Sequence, residues 1–338
     1  MAPGRVDDTL QRPMRDLRIS VTDRCNFRCT YCMPKEVFGS EYRFLERAEL
    51  LTFEEVARLA RIFVSEGVSK IRLTGGEPLV RRDVERLVAM LAAIRGLSDI
   101  AMTTNGSLLP AKARALAEAG LDRVTVSLDA LDDATFAAIN DVRFPVARVL
   151  EAIEAAEAAR LGPVKVNCVV KRGINEHAVL DLARHFKGTP HVVRFIEYMD
   201  VGATNGWRLD DVVTAKEIVA AIDSELPIEP LEANYFGEVA NRYRYRDGSG
   251  EIGVIASVTQ PFCGNCTRVR LSADGKLFTC LFATSGHDLR GLVRRGASDE
   301  KISEAVAGIW RVRDDRYSEI RSSHTVSIPK VEMSYIGG

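Results

Sequence analysis

What most limits the fold of this chain is a rhythm: from residue 16 to about 200, short runs of β-forming residues alternate with longer amphipathic stretches. Strand candidates lie at 17–21, 70–73, 100–103, 123–128, 164–170 and 192–196. The clearest helix opens at Thr52 with Glu55 three residues on, a capping-box pattern. Val56, Leu59, Ala60, Phe63 and Val64 then mark one buried face. Further helices read at about 81–95, 109–119, 146–160 and 176–186. Strands separated by helices must pair in parallel, because the connection is too long for a hairpin. The region therefore predicts a partial (β/α)6 TIM-like barrel, with a doubly wound sheet as the other arrangement. From about 211 the rhythm changes to a helix near 212–223, strand-like alternation at 243–246, 252–257, 269–271 and 277–281, and helices near 286–294 and 300–312. The expectation is an α/β chain in two parts, a barrel domain over 1–210 and a smaller α+β domain over 211–338.

Charge narrows the partners. With 46 Lys and Arg against 47 Asp and Glu, the formal net charge is -1, so no global basic field recruits nucleic acid or an anionic membrane. Any anion site must be local. The first residues lack the apolar core of a signal peptide, and no apolar run approaches the ~20 residues that cross a bilayer. The chain reads as cytoplasmic, and its thiols as reduced.

Six of the seven cysteines fall into two groups. Cys25-Asn26-Phe27-Arg28-Cys29-Thr30-Tyr31-Cys32 follows the first strand directly. Three thiolates within eight residues can bind three irons of a cubane and leave the fourth open, since soft sulfur suits iron–sulfur clusters. A local zinc finger fails, because the first histidine in the chain is His177. The second group, Cys263-Gly264-Asn265-Cys266 with Cys280, again offers three thiols. Its spacing leaves two readings open, a Cys3His zinc site completed by His287 or a second cubane with an open iron. Cys168, in a Val-rich strand, reads as a buried structural thiol.

Other strand ends carry polar signals. Thr74-Gly75-Gly76-Glu77-Pro78 follows strand two, Thr103-Thr104-Asn105-Gly106 strand three, Ser127-Leu128-Asp129 strand four and Glu197-Tyr198-Met199 strand six. All lie at the C-terminal ends of parallel strands, where barrel enzymes build their sites. Cations sit inside strands as well: Arg18, Arg72, Lys165 and the alternating Arg268 and Arg270. An interior-facing cation is costly unless an anion meets it, and Arg suits phosphate. Together they suggest a polyphosphate ligand.

The C-x3-C-x2-C motif with an aromatic before its last Cys resembles the signature of the radical S-adenosylmethionine (SAM) superfamily. That resemblance implies an open iron that chelates SAM and a reduced cluster that cleaves it to a 5′-deoxyadenosyl radical. From about residue 14 to Gly338 the chain resembles one member family, the molybdenum cofactor biosynthesis A proteins, which are GTP 3′,8-cyclases. The likeness rests on both triplets at these spacings, Arg-x-Arg after Cys266, Arg-Leu-Thr-Gly-Gly-Glu-Pro and a closing Gly-Gly. It implies two [4Fe-4S] clusters, on Cys25, Cys29 and Cys32 and on Cys263, Cys266 and Cys280. It also implies SAM contacts at Tyr31, Gly75, Gly76, Glu77, Ser127 and Met199. GTP contacts would come from Arg18, Arg72, Thr103, Lys165, Asn167, Arg268 and Arg270.

In catalysis the resemblance adds Arg268, Arg270 and a tail, Gly337-Gly338, that enters the site, although composition alone reads it as flexible. The implied partners are GTP as substrate, a reducing protein, a downstream cyclic pyranopterin monophosphate synthase and a second copy in a homodimer. Two other functions are weighed against this one: a radical SAM enzyme acting on a peptide or tetrapyrrole, and a non-catalytic zinc-binding interaction protein. The segment 35–50 looks longer than usual for the family and has no assigned role.

Overall fold

A computed structural model describes residues 4–322 and 328–338. Six parallel strands, β1 (Asp16–Ser20), β2 (Lys70–Thr74), β3 (Asp99–Thr104), β4 (Arg123–Ser127), β5 (Lys165–Val170) and β6 (Val192–Glu197), pair in sequence order. That order separates the two arrangements left open above, because a doubly wound sheet reverses its strand order at a switch point and this one never does. The crossover helices are α1 (Phe53–Ser65), α2 (Val84–Ala92), α3 (Leu109–Glu118), α4 (Asp133–Asn140), α5 (Val146–Ala158) and α6 (Ala178–Phe186). The Thr52–Glu55 capping box forms as read. Helix α4 is not legible in the sequence, since its eight residues make barely two turns, too short a stretch to establish a period.

After 211 come α7 (Ala215–Asp223), β7 (Ile228–Leu231), β8 (Asn241–Tyr245), β9 (Glu251–Ile255), β10 (Arg268–Leu271), β11 (Lys276–Phe278), β12 (His287–Asp288), α8 (Arg290–Arg294) and α9 (Asp299–Arg311). These strands make no separate sheet. β9 joins β6 in parallel and carries β8 and β7, while β10 joins β1 in parallel and carries β11 and β12. The C-terminal region thus extends both edges of the barrel sheet, and residues far apart in sequence share its inner face.

That face is set by a period of two. Leu17 and Ile19, Ile71 and Leu73, Val124 and Val126, Val166 and Cys168, Val193 and Phe195, and Val269 and Leu271 point into the apolar core beneath the helices. Between them stand Arg18, Arg72, Thr125, Asn167, Arg194 and Arg270, on the opposite face. Burying the apolar partners, at ~25 cal/mol per Å² removed from water, fixes each strand's register and forces the polar side inward.

Candidate functional site

The loop after β1 carries the first triplet. Cys29 begins a tight turn, accepting at its carbonyl from the amides of Cys32 and Met33. Arg28 braces the loop by donating to the carbonyls of Cys25, Phe27 and Phe38. Segment 35–50, unassigned from sequence, lies against this loop, with Phe38 buried and the Leu45 amide donating to Asp23.

Gly75 and Gly76 bring the β2 loop onto the same backbone. A Cβ on Gly75 would lie 2.2 Å from the Thr22 carbonyl oxygen, and one on Gly76 would lie 2.2 Å from that of Arg24. The amides of Gly76 and Glu77 donate to those two carbonyls. Only glycine permits this approach.

Glu77 is buried, and both carboxylate oxygens are engaged within the protein. Oε1 accepts from Thr104 at 2.7 Å and from the Leu79 amide at 3.0 Å, and Oε2 accepts from the Asn105 amide at 2.7 Å. Burial raises its pKa to about 7. Glu77 therefore fixes the end of β3, and Asn105 in turn reaches Asn26 at 2.9 Å. Tyr31 donates to Asp129, whose pKa burial likewise raises to about 7. Cys168 is fully buried beside the Asp129 carbonyl, in agreement with a structural thiol.

Both triplets open on one cavity. Cys25, Cys29, Cys32, Cys263, Cys266 and Cys280 all line it, as do Tyr31, Gly75, Gly76, Glu77, Thr103, Ser127, Asn167 and Met199. Four guanidiniums, Arg18, Arg72, Arg268 and Arg270, stand in the same wall. Arg18 is the register partner of both Arg270 and Arg72. Lys165 shares a face with Asn167 one pleat deeper, opposite Thr125. Sequence reading missed Arg194, which lines the cavity and donates to Asn167 at 2.9 Å. Its signal was present, since Val193 and Phe195 are apolar around it as Val166 and Cys168 are around Asn167.

The electrostatics of this wall are lopsided. Nearby Asp16 and Asp99 pair with Lys70 and Arg123. Among the described residues no carboxylate lies within ion-pair distance of Arg18, Arg72, Lys165, Arg194, Arg268 or Arg270. Arg72 spends one nitrogen on the hydroxyls of Thr103 and Thr125, and Arg268 lies over the Phe262 ring. Burial, then Arg270 and Arg72, push the Arg18 pKa down. Burial, then Arg194 and Arg123, lower that of Lys165 to about 7. A group of buried and half-buried like charges without ion-pair partners among the described residues suits a multivalent anion.

The thiols fit a soft metal cluster. Burial raises the Cys25 pKa to about 11 and that of Cys280 to about 12, and it raises Cys29 and Cys32 as well, whereas burial at Cys266 is outweighed by Arg268 and Arg313, which lower its pKa to about 7. A bound cluster would favour the thiolate form at each. Among the described residues no three Cys, His, Asp or Glu side chains converge as one zinc ion requires. His287, the fourth zinc ligand considered above, is exposed on the outer strand β12 and does not line the cavity.

The tail enters from above. Arg270 donates to the Gly337 carbonyl, and Thr74 donates to that of Gly338 at 3.4 Å. Gly337 has φ +79°, and a Cβ there would lie 2.3 Å from Thr74 Cγ2. Ser334 and Ile336 are buried, and Gly338 lines the cavity.

An in-order parallel sheet with three thiols after its first strand defines a class, and the comparisons agree. Residues 19–186 match the family model described as the radical SAM superfamily. The chain is also similar in fold to Streptococcus suis SuiB bound to S-adenosylmethionine, with TM-score 0.64 and 14% identity over 92% of this chain and 69% of that one. Residues 191–319 match the model described as Molybdenum Cofactor Synthesis C. A relative from Acidothermus cellulolyticus named GTP 3′,8-cyclase is 56% identical over 98% of this chain and 99% of its own. Another so named, from Staphylococcus aureus, is 49% identical over 99% of both. The chain belongs to the GTP 3′,8-cyclase family of radical SAM proteins.

Proposed function

We propose that this chain converts GTP to 3′,8-cyclo-7,8-dihydro-GTP, the first step of molybdenum cofactor biosynthesis. The observation that carries the reading is the cavity shared by two thiol triplets and by guanidiniums that have no ion-pair partner among the described residues. Two [4Fe-4S] clusters are part of the proposal, one on Cys25, Cys29 and Cys32 and one on Cys263, Cys266 and Cys280. A reduced cluster at the first triplet supplies the electron for cleavage of SAM, the source of the group that takes the C3′ hydrogen.

The chain's own residues bind, orient and shield. Tyr31, Gly75, Gly76, Ser127 and Met199 frame SAM, and Glu77 acts through the β3 end that it holds. Arg18, Arg72, Lys165, Arg194 and Arg270 carry the triphosphate, with Thr103 and Asn167 orienting two of the cations. Arg268 stands between that group and the second triplet, where the base is read. The Gly337-Gly338 tail closes the mouth and keeps water from the reacting ribose. Residues 1–210 thus serve radical generation and hold most of the triphosphate's cations, while 211–338 add the second triplet, Arg268, Arg270 and the tail to the same sheet.

A reducing protein, a downstream cyclic pyranopterin monophosphate synthase, a homodimer and a cytoplasmic setting belong to the same proposal. No described helix is long and apolar enough to cross a membrane. Equilibrium dialysis with GTP separates this function from action on a peptide or tetrapyrrole. Saturable binding competed by GDP is expected, and absence of binding to the reconstituted protein would overturn the proposal.

A further inference from the structure

Both triplets need a backbone that presents three thiols together, and at the second one the bracing comes from remote parts of the chain. Arg12 is fully buried. Its Nε donates to Asp8 at 2.6 Å, and its Nη1 donates to the Cys263 carbonyl at 2.7 Å and to the Asp315 carbonyl at 2.8 Å. Arg313 is 4% exposed. Its Nη1 donates to Asp8 and to the Cys266 carbonyl, both at 2.9 Å, and its Nε donates to the carbonyl of Thr279, next to Cys280, at 3.1 Å. One carboxylate, 3% exposed, thus holds two guanidiniums whose remaining donors grip the backbone at or beside all three thiols.

Further contacts tie the assembly together. Trp310 donates to the Arg12 carbonyl at 3.1 Å, and the Arg313 guanidinium lies 4.5 Å from the Trp310 ring centroid. Asp8 also caps its own turn by accepting from the amides of Leu10 and Arg12. Asp315 offsets part of the Arg313 charge from a more exposed position, at 3.3 Å. Arg12 Nη2 is buried with no partner among the described residues, one donor unspent beside the triplet. Arg28 treats the first triplet similarly through the Cys25 carbonyl, but from within its own loop.

We propose that Asp8, Arg12 and Arg313 are positioning residues for the second triplet, a clamp through which the first turn of the chain sets how Cys263, Cys266 and Cys280 hold their cluster. A planar guanidinium in two or three hydrogen bonds fixes backbone direction in a way that a lysine cannot. Its positive charge near the thiolates also favours the reduced cluster, because reduction adds negative charge. This inference rests on the reading that the second triplet carries an iron–sulfur cluster.

The test uses the full chain with Cys25, Cys29 and Cys32 all changed to Ala, so that every iron counted belongs to the second triplet. The parent should hold about four irons. Arg313→Gln and Arg12→Gln should lose iron to a chelator at least about tenfold faster, with a lower cluster potential, as expected for ligands whose supporting shell is cut. Arg313→Lys should keep a potential near the parent's while still losing iron faster, a split that a merely structural role would not produce. If a Gln variant fails to fold, Arg313→Lys decides by the same two readouts. Iron retention and potential unchanged from the parent would overturn the clamp, whereas a parent that binds no iron would overturn the reading of the second triplet instead.

Discussion

Arg18 and Arg270 are register partners across the β1–β10 pair, 252 positions apart in the chain, with no carboxylate paired to either. The parallel addition of β10 to the barrel edge creates this relationship, and Arg72 on β2 continues the row. Half-buried Arg18 thus stands between two buried guanidiniums with no carboxylate paired to it, a cost to the folded protein that a bound anion offsets. Arg18→Met should therefore raise the melting temperature of the ligand-free protein. It should also weaken GTP binding about 10–100-fold, as expected for losing about 1.5–3 kcal/mol of charge-assisted hydrogen bonding. Calorimetry and dialysis on the same variant check both signs, and a lower melting temperature without ligand would contradict the frustration argument.

Lys165 makes binding depend on pH. Its folded pKa, about 7 through burial and then Arg194, lies below the ordinary lysine value of 10.5, so the unfolded chain binds more protons between those limits. The ligand-free protein should gain stability as pH rises from 7 toward 10.5. A triphosphate draws the proton back, so GTP binding should take up a proton above pH 7 and weaken as pH rises further. Lys165→Arg keeps the charge and should flatten the profile, which titration calorimetry in buffers of different ionisation enthalpy would detect.

The two triplets should separate by function. Cys25→Ala should remove about half of the iron and abolish 5′-deoxyadenosine formation. Cys263→Ala should remove a similar share yet still permit slow cleavage of SAM, with no cyclised product. Iron analysis and chromatography of the quenched reaction distinguish the pair. Equal loss of deoxyadenosine in both would merge the roles assigned to them.

Gly337 has little room for change, since its φ is +79° and any Cβ added there would meet Thr74 Cγ2 at 2.3 Å. Gly337→Ala should displace the tail and lower turnover at least about tenfold, a size typical of losing one positioning contact in a closed site. Iron content should stay unchanged, because the tail supplies no thiol. Removing Gly337 and Gly338 together should do the same, and full activity after that deletion would refute a role for the tail.

Much of the fold and site is legible in the sequence. The helix starting after Thr52, the six barrel strands and both triplets follow from local spacing, because period and chelation are properties of neighbouring residues. Arg18, Arg72 and Arg270 could be read as inward-facing from Leu17 and Ile19, Ile71 and Leu73, and Val269 and Leu271 around them. Other features depended on long-range pairing. No local signal says that β9 and β10 join opposite edges of one sheet, or that Asp8 meets Arg313. Glu77 stands among the SAM contacts that the resemblance implies, and its own hydrogen bonds run to Thr104 and Asn105 on the next strand end. Sequence order does not reveal that crossing.

The central claim is that one cavity joins radical generation to a bound purine triphosphate. The measurement that meets it most directly is anaerobic single turnover of the reconstituted, reduced protein with SAM and GTP deuterated at C3′. The account predicts deuterium in the 5′-deoxyadenosine, with matching loss of GTP and gain of its cyclised isomer. Deoxyadenosine without deuterium, or formed while GTP stays intact, would contradict it.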